Sequence, residues 1–271
     1  MLEASFLIAI LAGLFGLLIG SFLNVCIYRL PRDLSVVRPR SHCPECEHLV
    51  AWYDNVPLVS FAILGARCRN CRTTIPWRYP IVEFLTAALF FAIVWKLGPT
   101  LAALKDCIFA AILVELIFSD FETLILPDEF TLGGTAVGLL FSYFVPLPLM
   151  FSGLLVPYTW KPGARSVVEA VIAAGFISLL FWAFGKLYFV IRKREGLGLG
   201  DVKMVALMGA FLGLQMTLLA LVVGSLLGSV VGLLFIAITR KDSASYELPF
   251  GSFLGIGGLA IMLLQMFRGL Q

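Results

Sequence analysis

Two kinds of residue in this 271-residue chain are spaced for chemistry: paired cysteines, and acids at the edges of apolar runs. Cys43-Pro44-Glu45-Cys46 and Cys68-Arg69-Asn70-Cys71 are two CxxC units separated by 21 residues. A CxxC turn puts two thiolates on one side of a tight knuckle, and two knuckles complete a tetrahedral S4 shell suited to Zn2+. Four protein ligands leave no open position, so the zinc is expected to be structural and to supply folding energy to a loop with little core. A redox role would need disulfides, which a cytoplasmic segment does not keep. His42 and His48 flank the first knuckle and read as surface residues, since four cysteines already suffice. Cys26 and Cys107 lie within apolar runs and read as small buried hydrophobes.

Ionisable residues in or beside membrane spans are costly and point to function. The candidates are Glu83, Asp106, Glu115, Asp120, Glu122, Asp128, Glu129, Glu169 and Asp201. Asp120 ends an apolar run and precedes Leu126-Pro127-Asp128; Asp201 opens another run, in Gly198-Leu199-Gly200-Asp201-Val202-Lys203. The glycines before Asp201 allow backbone shapes closed to other residues. Two carboxylates that approach one another cannot both ionise easily. The ionised member can take a proton from an attacking water while the protonated member polarises a peptide carbonyl, and the pair owns the apparent pKa values. Residue types alone leave a second interpretation open, in which each aspartate is a solvated interfacial acid or a helix cap. The two stand 81 positions apart, and spacing does not show that they meet.

The elements that must position these residues are membrane helices. The chain is 60% hydrophobic and 14% charged, against about 25% charged in a soluble domain. Apolar runs of membrane-spanning length recur, and the first reads as a retained span rather than a removable signal. The fold expected is an all-α integral membrane protein of about eight transmembrane helices: 4–27, 80–97, 100–119, 130–147, 166–191, 202–214, 216–239 and 251–268. The stretch from Val202 to Thr239 is too long for one span at about 1.5 Å per residue, so a turn is placed near Gln215. Three stretches divide the chain: 1–27 a first transmembrane helix, 28–79 a cytoplasmic zinc-binding four-cysteine loop, and 80–271 a seven-helix membrane domain carrying the aspartates.

Thirteen of the twenty Lys and Arg residues fall in three loops, around 28–79, 192–194 and 240–241. Basic loops stay in the cytoplasm, which puts the N-terminus outside and both aspartates at the cytoplasmic face. Retention of positive loops explains these arginines without nucleic acid. Gly16 and Gly20, Gly209 and Gly213, and Gly224, Gly228 and Gly232 recur at spacings of four and read as close helix packing. Glu83 is expected to pair with an arginine such as Arg78. Glu122, Asp128 and Glu129 read as a solvated acidic turn able to attract a basic peptide, and Asp106 and Glu115 as structural or cavity-lining acids.

The order of these pieces resembles the bacterial type IV prepilin peptidases, also called leader peptidase–methyltransferases. The resemblance runs over nearly the whole chain. Its parts are Gly20-Ser21-Phe22-Leu23-Asn24-Val25 with Tyr28-Arg29-Leu30-Pro31, the cysteine loop with Trp52-Tyr53-Asp54-Asn55-Val56-Pro57, and Arg78-Tyr79-Pro80-Ile81-Val82-Glu83. Asp120 with Leu126-Pro127-Asp128, the GxGD sequence at Asp201, and Pro249-Phe250-Gly251 complete it. The GxGD sequence is also similar to that of presenilin-type intramembrane proteases. The resemblance implies a catalytic pair, Asp120 and Asp201. It implies removal of the basic leader of prepilins and pseudopilins after a glycine, in the bacterial inner membrane. It also implies methylation of the new N-terminal amine by S-adenosylmethionine. No glycine-rich Rossmann fingerprint is present for the methyl donor. Resemblance alone points to the surroundings of Asp54, Asn55 and Glu83. The competing classes are a peptidase without methylation, a proton-coupled transporter and an inactive zinc-binding scaffold. A transporter would carry its acids near the midplane and show an inverted repeat, which is not evident here.

Overall fold

The computed structural model describes residues 2–149, 153, 156–193, 196–239 and 248–269. Arg194, Arg240 and Lys241, from two of the basic loops, lie outside the described residues, as does part of the loop after Pro148. The described chain is helical, and its only extended pairings are the isolated bridges His42–Leu49 and Arg67–Thr74. The helices are α1 (Leu2–Arg29), α2 (Val59–Ile63), α3 (Arg78–Leu97), α4 (Leu101–Thr123), α5 (Asp128–Phe144), α6 (Pro162–Arg192), α7 (Leu199–Thr239) and α8 (Phe250–Arg268).

Five of them, α1, α3, α6, α7 and α8, are long and apolar enough to cross a membrane, and the chain is a multi-pass membrane protein. Their apolar side chains face outward to an extent that water would not tolerate, as at Leu14, Phe15 and Leu18 on α1 and Leu233 and Ile238 on α7. Five such helices among the described residues do not confirm the expected count of eight spans. Helix α4 carries Lys105, Asp106, Glu115, Asp120 and Glu122, and α5 has only 17 residues.

Two compact units are present, Met1–Glu115 and Leu116–Gln271. In the first, α1 packs along α3. In lipid, apolar burial gives little preference for helix over acyl chain, so association depends on close fit. Glycines on α1 provide it: a Cβ on Gly16 would lie 2.8 Å from the Ala87 Cα, and one on Gly20 2.7 Å from the Glu83 Cα. Asn24 adds a polar tie, its Nδ2 donating to the Tyr79 carbonyl at 3.0 Å. Cys26 and Cys107 are buried and outside any disulfide.

In the second unit α7 is the common partner of α5, α6 and α8. It is not one rod. Gly213 has φ 76° and ψ 174°, a conformation open almost only to glycine, and breaks the helix. The expected turn near Gln215 is therefore displaced to Gly213, and this glycine is a break rather than a packing residue. The freed groups are satisfied internally, as a membrane interior demands. Leu214 N–H points to Glu169 Oε1 at 3.4 Å, and Thr217 Oγ1 donates to the Gly213 carbonyl at 2.7 Å. Glu169, wholly buried on α6, is thus accounted for as a structural acid.

Candidate active site and metal centre

Asp120 stands in the last turn of α4 and is 5% exposed. The helix ends just beyond it: Leu124 adopts φ 56° and its N–H returns to the Asp120 carbonyl at 2.9 Å, an αL stop. The chain then runs through Leu126 to Pro127, which caps α5. Asp120 also reaches across to α8. Its Oδ2 accepts the Ser252 N–H at 2.6 Å and lies 2.9 Å from the Ser252 hydroxyl oxygen. Ser252 is in the first turn of α8, where backbone N–H groups have no intrahelical acceptor and the helix end carries partial positive charge. A buried carboxylate is well placed there.

Asp201 is in the first turn of α7, and its carboxylate accepts the N–H of Gly198. This is the backward half of a capping box, so the capping interpretation describes part of its environment correctly. The Leu126 side chain fills the space between the two segments. A Cβ on Gly200 would lie 3.2 Å from its Cδ1, and a Cβ on Gly251 2.9 Å from the same atom and 3.1 Å from Asp120 Cγ. The two glycine-rich stretches and Leu126 thus bring the aspartates to one locality. Lys203 Nζ binds Asp128 Oδ1 at 2.6 Å, so Asp128 is engaged rather than simply solvated.

Sequence reasoning missed Ser252. A serine at the third position of a helix opened by Pro249-Phe250-Gly251 was the available signal, but its target was invisible.

The four cysteines also converge. Their sulfurs all lie within 4.8 Å of one another, with Cys43 and Cys71 at 3.7 Å. Sulfurs around a tetrahedral zinc with bonds of about 2.3 Å stand about 3.8 Å apart, so the donor set fits a metal such as zinc. The two knuckles repeat one geometry. Glu47 N–H bonds the Cys43 carbonyl and Arg72 N–H the Cys68 carbonyl, and Glu47 and Arg72 both have positive φ. Cys46 is pulled down to about 6, first by the Asn70 amide and then by a backbone bond at His48. Cys71, although exposed and favourably bonded by the backbone at Thr73, is pushed up to about 12 by local desolvation and the neighbouring sulfurs. Four thiolates therefore need a cation to coexist.

Near the metal centre, Arg69 clamps both oxygens of Asp54, at 2.6 and 2.8 Å. Glu83 is buried; its Oε2 accepts the Leu58 N–H at 2.8 Å, and Ser21 bonds it too. These acids are occupied in holding the segment 52–58. They do not fit as an open receptor for the ribose hydroxyls of a methyl donor.

Comparison with known proteins gives matches along both units. A profile described as "Bacterial Peptidase A24 N-terminal domain" matches residues 14–97, and one described as "Type IV leader peptidase family" matches residues 107–233. A "Prepilin leader peptidase/N-methyltransferase" of Myxococcus xanthus (strain DK1622) is 39% identical over 241 residues, 89% of this chain and 67% of that protein. Proteins of the same name from Aeromonas hydrophila and Neisseria gonorrhoeae are 36% and 33% identical, each over 93% of this chain and 89% and 88% of their own length. No solved structure matches the chain.

Proposed function

The chain belongs to the type IV leader peptidase family, and on that premise we propose that it is an aspartic endopeptidase using Asp120 and Asp201. Its substrates are prepilins or pseudopilins, cut after a glycine at the cytoplasmic face of a bacterial inner membrane, with the N-terminus of this chain periplasmic. It then N-methylates the new terminus from S-adenosylmethionine, while zinc on Cys43, Cys46, Cys68 and Cys71 holds the segment between α1 and α3.

The observation that carries the peptidase assignment is the shared locality of the two acids around Leu126, which meets both the glycine before Asp201 and the glycine beside Asp120. One carboxylate removes a proton from water as the water oxygen adds to the scissile carbonyl carbon. The other, protonated, hydrogen-bonds the carbonyl oxygen. Collapse of the adduct breaks the C–N bond, and a proton passes to the departing amine. The apolar helix of a prepilin lies in the membrane with its basic leader beside this site.

The test is incubation of purified enzyme with a candidate prepilin and S-adenosylmethionine, with the product N-terminus read by mass. Wild type should yield the shortened chain plus one methyl group. Asp120→Asn and Asp201→Asn should each leave the leader attached while the protein stays folded. Processing by either variant removes the pair from the mechanism.

A further inference from the structure

Ser252 lies beyond both matched stretches of sequence, and its surroundings are unusual. It is 2% exposed. Its hydroxyl oxygen stands 2.9 Å from Asp120 Oδ2 and also 2.9 Å from the Ile117 carbonyl oxygen, while its N–H meets Oδ2 at 2.6 Å. A hydroxyl has one hydrogen to donate, and a carbonyl oxygen can only accept. Two arrangements satisfy the geometry. With Asp120 ionised, the hydroxyl hydrogen points to Oδ2 beside the N–H. With a proton on Oδ2, that proton is donated to Ser252 Oγ, and the hydroxyl hydrogen turns to Ile117. The N–H keeps its bond in both.

We propose that Ser252 is a positioning residue for Asp120, turning one hydrogen between Oδ2 and the Ile117 carbonyl so that the carboxyl stays seated as it gains and loses a proton. The inference rests on the reading of Asp120 as one of the hydrolytic pair. That chemistry requires Asp120 to exist in two protonation states, and an ordinary buried contact would suit only one of them. Oδ1 takes none of these bonds and is left for water or substrate. From α7 the charged group that faces Asp120 is Asp201, the like charge, while Lys203, two residues on, is bonded to Asp128 of α5. Glu122 follows on α4 itself, and the first turn of α8 brings no charge.

Ser252→Ala deletes the hydroxyl and retains the N–H. Cleavage of a purified prepilin is followed across pH for wild type, Ser252→Ala, Ser252→Cys, Ser252→Thr and Asp120→Asn. In the Ala variant kcat should fall about tenfold with KM unchanged. Its acidic limb should move to higher pH by about half to one unit, because the ionised carboxylate has lost a donor. Thr, which keeps the hydroxyl, should follow wild type. Cys is close in shape and a poor donor, so it should follow Ala, and it stands in where Ala does not fold. An unmoved acidic limb in Ala or Cys, or a Thr variant that behaves like Ala, overturns the inference while an inactive Asp120→Asn leaves the aspartate pair standing. An active Asp120→Asn instead overturns the reading beneath it.

Discussion

Lys203 Nζ lies 2.6 Å from Asp128 Oδ1 and joins the second turn of α7 to the first turn of α5, across 75 positions of sequence. Lys203 is two residues past Asp201, and Asp128 is two past Leu126. The pair therefore fixes the register of the segments that present the acids. Both side chains are partly exposed, so the bond itself is worth at most about 1 kcal/mol. Lys203→Met and Asp128→Asn should each lower kcat severalfold with little change in melting temperature, and the double variant should be no worse than either alone. Fully additive losses in a double-mutant cycle would show that the two residues act separately.

Metal content offers a second check. Purified protein should carry about one zinc per chain. Replacing Cys43 and Cys46 by Ser should abolish it and expose residues 40–75 to limited proteolysis. Glu47 and Arg72 hold left-handed backbone at a cost that the metal offsets, so the apo loop should relax. Metal-free protein with an intact, protected loop would count against the tetrathiolate site.

The Asp54–Arg69 clamp has a definite pH signature. Hydrogen bonds from Arg69, then its charge, hold the Asp54 carboxyl below the usual carboxylate range. A depressed folded-state value contributes stability that is fully present above the unfolded value of about 3.9 and lost as pH falls through the folded one. Hydrogen exchange of residues 52–58, corrected for intrinsic rates, should stay protected from pH 8 to 5 in wild type. Arg69→Ala should remove that protection throughout. Protection in the variant equal to wild type would separate the clamp from the order of this segment.

Two glycines should fail in different ways. Around Gly213 a Cβ would find its nearest neighbours at 3.8 Å, an ordinary contact, so Gly213→Ala meets no clash but a forbidden backbone. It should cost about 1–3 kcal/mol, read as a lower melting temperature. At Gly251 the conformation is helical and the conflict is steric, with Leu126 and Asp120 Cγ in the way. Gly251→Ala should lower kcat about a hundredfold by displacing the carboxylate, with a smaller change in melting temperature. Thermal scans and initial rates on both variants distinguish the two.

The cysteine site was legible because it is local. Each knuckle is closed by bonds within six residues, and the spacing of like pairs announces the metal. The helices were legible as apolar runs, and the aspartates stood out as acids at the ends of such runs. What bonds the acids was hidden, since Ser252 meets Asp120 across 132 positions and hydropathy carries no record of that contact. The span count is least legible at α4, where ionisable residues punctuate the helix. The break in α7 was misplaced because Gly213 also fits a small-residue packing repeat, and only its backbone angles tell the two roles apart.

Gly213 also governs a distance. Asp120 is bonded to the first turn of α8, and α8 rests backbone against backbone on the part of α7 that follows the break, where a Cβ on Gly224 would lie 2.8 Å from the Phe253 carbonyl oxygen. Asp201 belongs to the part that precedes it. Asp201 thus stands on one arm of an elbow while the helix that bonds Asp120 rests on the other, so the bend at Gly213 contributes to the gap that must admit a water and a peptide bond.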